Sequence, residues 1–401
     1  MLLSGPVQNS IAFGVGQQLS ASNSVAEICI IGDGAEGLAL ANIAAAHGVL
    51  IYADGNVCAY PSLEELQVRD YEVRERGAQV GSARGKTRID LRNVDRIDDL
   101  QNADGFVIAA SSTKYGALIE KIAPALRDGQ TICLTNAPLG AALEFKHLLR
   151  KNNIKRQLNL IEVGRIFDNA RVESGVLLIS GLRSRVSLCG LERNETRRGL
   201  PVATAVAGTI VPFSNVIERG LADAERILRP AILLSALLTG EAQLSLSPAT
   251  IRILKAIDKE IQGLSKAFKC VVPSFTRSLA DFSLSEGSAL RHKPVSLEAA
   301  VKALGRGLLG LGDKTIGNPS EDKNAAYLNH YRTLLSQDIC ESLTLIADMG
   351  VLSRSPVGVV SSIIEMASVV LDDELSKRGR NISRLGLVGF DTDEIVEIVN
   401  A

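Results

Sequence analysis

Residues 27–37 read EICIIGDGAEG, and the fold turns on them. Ile28 to Ile31 are an unbroken apolar run, the length of a strand buried on both faces. Gly32, Gly34 and Gly37 follow at GxGxxG spacing, and residues 38–48, LALANIAAAHG, are an Ala/Leu-rich helical stretch. In that setting each glycine has its own task. Gly32 turns the chain out of the strand, Gly34 lets backbone approach a pyrophosphate, and Gly37 lets helix and strand pack closely. Gly32, Gly34, Ala35, Glu36 and Gly37 then form a cofactor loop whose free N–H groups sit at the positive end of a helix. Residues 49–54, VLIYAD, supply a second short strand ending in Asp54, about 20 residues after the glycines, where an acid accepts ribose hydroxyls. The blander reading is that Asp54 only starts the turn Asp54-Gly55-Asn56. A carboxylate there repels a 2′-phosphate, so NAD is the expected cofactor, with NADP left open.

Further outward the same alternation continues. GFVIAAS (105–111), QTICLTNAP (130–138) and LNLIEVG (158–164) are strand-like, and KYGALIEKIAPAL (114–126) and AALEFKHLLRKNN (141–153) are helical. Alternating strands and helices give a doubly wound, mostly parallel sheet, a Rossmann domain. Ser111 falls at the carboxyl edge, where such sheets bind ligands, and is either a cofactor contact or a helix N-cap. VLLISGLRSRVSLCGL (176–191) is expected to close the domain as a hairpin, and LERNETRR (191–198) to be a loop. After Gly208 long helical patterns take over, among them 212–228, 230–240, 250–268, 324–350 and 355–379. The expected organisation is an arm over 1–24, an α/β dinucleotide-binding domain over 25–208 and an all-α substrate domain over 209–401.

Composition narrows the partners. Lys+Arg 44 against Asp+Glu 45 give a net charge of -1, no electrostatic case for nucleic acid or an anionic membrane. Trp is absent and aromatics are 4%, which removes most stacking platforms for single strands. No apolar run reaches membrane-spanning length. The six cysteines have no metal-ligand spacing, so no metal is expected, and the reading is of reduced thiols in a cytoplasmic protein. Met349 and Met366 are expected to be core fillers.

Several segments in consistent order resemble the octopine/nopaline (opine) dehydrogenase family across roughly residues 26–398. They are the glycine loop, TNAPLGAALEF (135–145), the segment 158–188, NVIERGLADAERILRPAILL (215–234), YRTLLSQDICESL (331–343) and the tail GRNISRLGLVGFDTDEIVEIV (379–399). The resemblance implies a dinucleotide-dependent enzyme that joins an amino acid or amine to a 2-oxo acid by reducing their imine, with a homodimer left open. It carries the catalytic His-Pro of the family onto Arg229-Pro230 and the catalytic Asp onto Asp338, with Gln337 replacing a Glu. The resemblance is therefore to a divergent member, because guanidinium does not surrender a proton as imidazole does. Arg229 could instead bind a carboxylate or pair with Asp338. His330, about two turns before Asp338, is the candidate replacement base, against the plainer reading of a structural histidine. The alternative to an enzyme is a non-catalytic relative that binds a dinucleotide or an opine-like ligand.

The Asp54 reading makes a direct prediction. NADH should bind more tightly than NADPH in fluorescence titrations, and Asp54→Arg should reverse the order. Equal affinities in the native protein would remove Asp54 from the ribose site.

Overall fold

The computed structural model describes residues 27–32, 34–45, 50–53, 67–73, 79–86, 100–173, 176–240, 246–283, 296–304 and 321–401. The arm over 1–24 and Asp54 lie outside the described residues.

Eleven strands are described: β1 (Glu27–Gly32), β2 (Leu50–Ala53), β3 (Gln67–Val73), β4 (Gln79–Lys86), β5 (Gly105–Ala109), β6 (Thr131–Leu134), β7 (Asn159–Val163), β8 (Asn169–Glu173), β9 (Val176–Ser180), β10 (Arg185–Gly190) and β11 (Thr209–Pro212). The main sheet has the order β11-β10-β7-β6-β5-β1-β2. Its pairs are parallel except β10 against β7. The chain leaves β1 for β2 on one side and returns to β5 on the other, so the strand order reverses at β1 and β5. Ligands of such sheets bind outside the carboxyl ends at that reversal. Here those ends carry the glycine loop and Ser111.

Alternate residues of the central strands face opposite ways. Ile28, Ile30, Val107, Cys133 and Ile161 share one core with α1 (Ala35–Ala45) and with Val202, Ala203 and Val206 of a later helix. Cys29, Ile31, Phe106, Ile108, Ile132 and Leu134 face α2 (Tyr115–Ile122) and α3 (Ala141–Lys151). A second sheet, β4-β3-β9-β8, lies on the outer side of α1, with Leu177 and Ile179 packed into the same core as Leu38 and Leu40.

Three local expectations change. The stretch 176–191 is not a hairpin. β9 pairs with β8 and β3 in the second sheet, and β10 crosses to the main sheet. Gly181, at φ +63, starts the turn between them. LERNETRR is not a loop, because Arg193 opens α4 (Arg193–Val206) through a capping box of Glu192 and Glu195. Met349 is buried, but Met366 is 48% exposed and fills no core.

The main sheet runs on to Pro212, and helices follow: α5 (Val216–Leu221), α6 (Ala224–Thr239), α7 (Pro248–Ala267), α8 (Phe275–Phe282), α9 (Leu297–Leu304), α10 (Glu321–Asp338), α11 (Thr344–Leu352), α12 (Gly358–Leu371) and α13 (Thr392–Asn400), with a single turn over Leu375–Arg378. Their core is continuous with the α2 and α3 side of the sheet. The seam is close. A Cβ on Gly220 of α5 would stand 2.7 Å from the Cα of Leu139, so only glycine lets this helix touch the loop before α3.

Ion pairs cross this seam under cover. Arg219 of α5 donates to Glu162 Oε2 of β7 at 3.1 Å and to the Ala137 carbonyl at 2.7 Å, and the Ala142 N–H donates to Glu162 Oε1 at 2.8 Å. Glu162 is fully buried and Arg219 is 2% exposed. Burial pushes the Glu162 carboxyl upward, and Arg219 and the Ala142 N–H oppose that shift. Arg380 and Arg384 converge in the same way on Glu144 of α3, at 2.8 and 2.7 Å. Removing one partner of such a pair leaves an uncompensated charge, which costs about 3–5 kcal/mol. Arg219→Ala should lose stability on that scale in urea unfolding. An unchanged midpoint would mean that the two halves are not held through Glu162.

Candidate active site

The described residues of the glycine loop could hold the phosphates of a dinucleotide. A Cβ on Gly32 would lie 2.9 Å from the Ala109 Cβ and 3.0 Å from the Gly37 Cα, so strand and helix meet as the spacing demands. Gly34 is at φ +70, and a Cβ there would meet nothing within 4 Å among the described residues. The backbone is therefore left-handed and faces open space at the start of α1. Ala35 and Glu36 are half-buried and form the first turn, with Gly37 buried behind them. These residues fit a pyrophosphate at a helix N-terminus.

Ser111 stands across the reversal point from this loop. Its Oγ accepts the Thr113 N–H at 3.4 Å as the cap of a short 3-10 turn, and it donates to Glu341 Oε1 of the helical half at 2.9 Å. The cap and the link coexist in one hydroxyl.

Glu341 belongs to the most irregular part of the helical half. Between α10 and α11 the helix widens into a π turn over Ile339–Leu343. Such turns are rare and recur at functional sites. The Thr344 hydroxyl donates to the carbonyls of Ile339 and Cys340, and Arg380 donates its backbone N–H to the Cys340 carbonyl at 2.7 Å. The turn brings Asp338 and Glu341 to the same side as Arg226 and Arg229, which lie one turn apart on α6. Arg229 grips Asp338 with two bonds, Nε to Oδ2 and Nη2 to Oδ1, each 2.5 Å. Arg226 donates to Glu341 Oε2 and, through Nη2, to the Asn136 carbonyl and side chain at 2.8 and 2.9 Å. Gln337 reaches Glu341 Oε2 at 3.5 Å.

Arg229 and Asp338 thus meet, but at 3% and 0% exposure they are sealed into the wall. Burial disfavours the Arg229 charge, and the Asp338 carboxylate more than restores it, so the guanidinium is held above its ordinary value. Pro230 gives α6 no N–H for the Arg226 carbonyl at this level, and the helix nevertheless continues to Thr239. His330 is half-buried on α10, eight residues or about 12 Å of helix before Asp338. Tyr331 and Leu335 take the buried stripe that leads to Asp338, and His330 lies beside it.

Sequence reasoning passed over Arg226, Glu341 and Asn136. The signal was present: two arginines three residues apart in the largely apolar run ERILRPAILL, and two acids three residues apart in QDICESL. It also missed Arg165, Arg183 and Glu225, whose side chains line a cleft of about 450 Å³ beside the carboxyl end of β7. Arg183 donates to Glu225 Oε1 at 2.8 Å and pairs with Asp168.

A glycine loop at the reversal of a doubly wound sheet, faced by a helical half, defines a dinucleotide-dependent dehydrogenase fold. No family model matches the chain. The opine dehydrogenase of Arthrobacter sp. (strain 1C) is 22% identical over 330 residues, 80% of this chain and 86% of that protein. Among solved structures, octopine dehydrogenase with NADH and L-arginine superposes with a TM-score of 0.65 at 15% identity, over 93% of this chain and 98% of that one. Yersinopine dehydrogenase with NADP+ bound gives 0.58 at 15%, over 94% and 98%. A PanE/ApbA family ketopantoate reductase from Ralstonia eutropha JMP134 gives 0.51 at 14%, over 86% and 98%. The chain is thus similar in sequence to an opine dehydrogenase and shares the fold of octopine dehydrogenase.

Gly34→Val tests the loop. A β-branched residue is strained at φ +70 and points into the open side. Dinucleotide binding should be lost in calorimetry while the circular dichroism spectrum is kept. A variant that still binds NADH would separate the loop from the cofactor.

Proposed function

We propose that the protein is an NAD(P)-dependent oxidoreductase of the C–N bond, reducing the imine formed from an amino acid or amine and a 2-oxo acid. The observation that carries this reading is the glycine loop at the reversal of the sheet, faced by the helical half that bears Arg229 and Asp338. Structures of family relatives were solved with L-arginine, agmatine or pyruvate together with NADH, which supports this substrate class. Among the described residues no helix is long and apolar enough to cross a membrane, and five cysteines are free thiols. Both fit action on small metabolites in the cytoplasm.

When bound, the reduced dinucleotide supplies the hydride. The residues of this chain must then orient the imine carbon and exclude water. An iminium already carries its proton, so its reduction needs no base. That matters because Arg229 cannot serve as one. A guanidinium closed on Asp338 leaves a neutral, fixed pair in the wall and takes no proton from the reaction. The arrangement favours reduction over oxidation of an opine, which has an amine proton to lose. Fixed in this pair, Asp338 orients a cation instead of an imidazole.

The same closed pair also favours a second reading, a relative that binds dinucleotide and ligand without turnover. One experiment separates the two. NADH oxidation is followed with amino acids and amines paired against pyruvate, 2-oxoglutarate and other 2-oxo acids. Turnover with any pair is expected. NADH binding without turnover across the matrix would select the binding protein.

Arg229→His sharpens the test. It should introduce, or raise, opine oxidation with a pH limb near the ordinary histidine value, while the native enzyme should show no such limb. A pH profile unaltered by the substitution would show that residue 229 does not address the reacting nitrogen.

A further inference from the structure

The cleft beside β7 contains polar groups that the protein does not satisfy by itself. Arg165 follows the carboxyl end of β7, one residue beyond Gly164, and its side chain is 18% exposed. Its recorded partner is Glu225, at 3.7 Å from Nε to Oε2, too long for a hydrogen bond. Glu225 already serves Arg183 at 2.8 Å. The other cations that line the cleft are engaged. Arg219 holds Glu162, Arg183 holds Asp168 and Glu225, and Arg185 faces Asp281 at 3.3 Å. Burial and the nearby charge of Arg229 both work against the Arg165 guanidinium, which is held below its ordinary value. A largely covered planar donor group is thus left weakly partnered, beside three other arginines, in the cleft.

A second observation points the same way. Ser278 of α8 lines the same cleft from the helical side and is 2% exposed, and its hydroxyl has no hydrogen-bond partner among the described residues. A buried hydroxyl left without a partner is uncommon and calls for an explanation. A ligand oxygen between Arg165 and Ser278 would satisfy both.

We propose that Arg165, with the Ser278 hydroxyl, forms the site that binds the carboxylate of the 2-oxo acid substrate. The chemistry is that of a guanidinium fork, which matches two carboxylate oxygens and strengthens as water is excluded. It accounts for how the enzyme keeps an anionic substrate when the Arg229 fork is closed on Asp338. The assignment places the oxo acid beyond β6, at the carboxyl end of β7, with the amine partner approaching from the β5 side. It rests on the reductase reading for the identity of the anion, but not for the existence of the site.

The experiment titrates pyruvate and 2-oxoglutarate calorimetrically into the protein–NADH complex. The native chain is compared with Arg165→Met, Arg165→Lys and Ser278→Ala, and turnover is measured alongside. Arg165→Met should weaken oxo-acid binding about ten- to hundredfold, the range for losing a charged hydrogen bond, with NADH affinity unchanged. Arg165→Lys should restore part of the loss, and Ser278→Ala should weaken binding by a smaller factor. In a turning-over enzyme the loss should appear in KM for the oxo acid and not in KM for the amine. Should the native complex bind oxo acids through Arg165 without any turnover, the anion site stands and the reductase reading falls. If turnover proceeds and a folded Arg165→Met protein binds both acids like the native chain, the reductase reading stands and this site is wrong. A native complex that takes up neither acid also overturns it.

Discussion

Two arginines one turn apart on α6 meet two acids one turn apart at the π turn, and the arrangement of the helical half depends on that match. Arg226 closes on Glu341 and Arg229 on Asp338, all four side chains buried. Each charge would be expensive alone in this setting, and each is tolerable because the facing helix supplies its opposite. Buried pairs of this kind add little net stability over apolar packing. They fix register, because sliding either helix by one residue would leave four charges unpaired at once.

The match extends into the first domain. Glu341 also receives Ser111 from the edge of β5, and Arg226 also donates to Asn136 after β6. Asn136 is held at φ 46, in the left-handed region that asparagine tolerates. The π turn therefore does two jobs. It turns Glu341 toward both Arg226 and Ser111, and it places the helical half over the carboxyl ends of the strands. A regular helix through residues 339–343 would direct Asp338 and Glu341 differently relative to α6. Arg380, with its backbone N–H on Cys340 and its side chain on Glu144, joins this irregular turn to α3.

An arginine where the resemblance leads one to expect an acid–base residue does not loosen this frame. Asp338 still has a cationic partner, and the pair is now permanent, since guanidinium stays charged across the accessible pH range. The consequence is spatial as well as chemical. The Arg229 fork is closed on Asp338, whereas Arg165 meets Glu225 only at 3.7 Å.

The amino-acid sequence by itself determined the first domain in outline. GxGxxG between a buried strand and a helix is a local pattern, and local patterns survive without knowledge of the rest of the chain. The alternation of short apolar runs with amphipathic helices was legible for the same reason, but the expected change to helices at residue 209 comes only after Pro212, because β11 still pairs with β10 at the sheet's edge. Family order brought Arg229 and Asp338 together on paper. Tertiary structure alone decided the rest. Whether residues 176–191 fold back on themselves depends on β3, more than a hundred residues earlier, offering an edge to β9. Whether Ser111 caps or links depends on a glutamate 230 positions away. The π turn has no sequence period of its own, and its hydrogen bonds are chosen by Arg380 and Thr344. Arg165 looked like one more polar residue after a strand, because the neighbours that leave it half-satisfied come from α6 and β10. A pattern with period two or 3.6 is written along the chain, but the electrostatic surplus at one side chain is a sum over everything that packs around it.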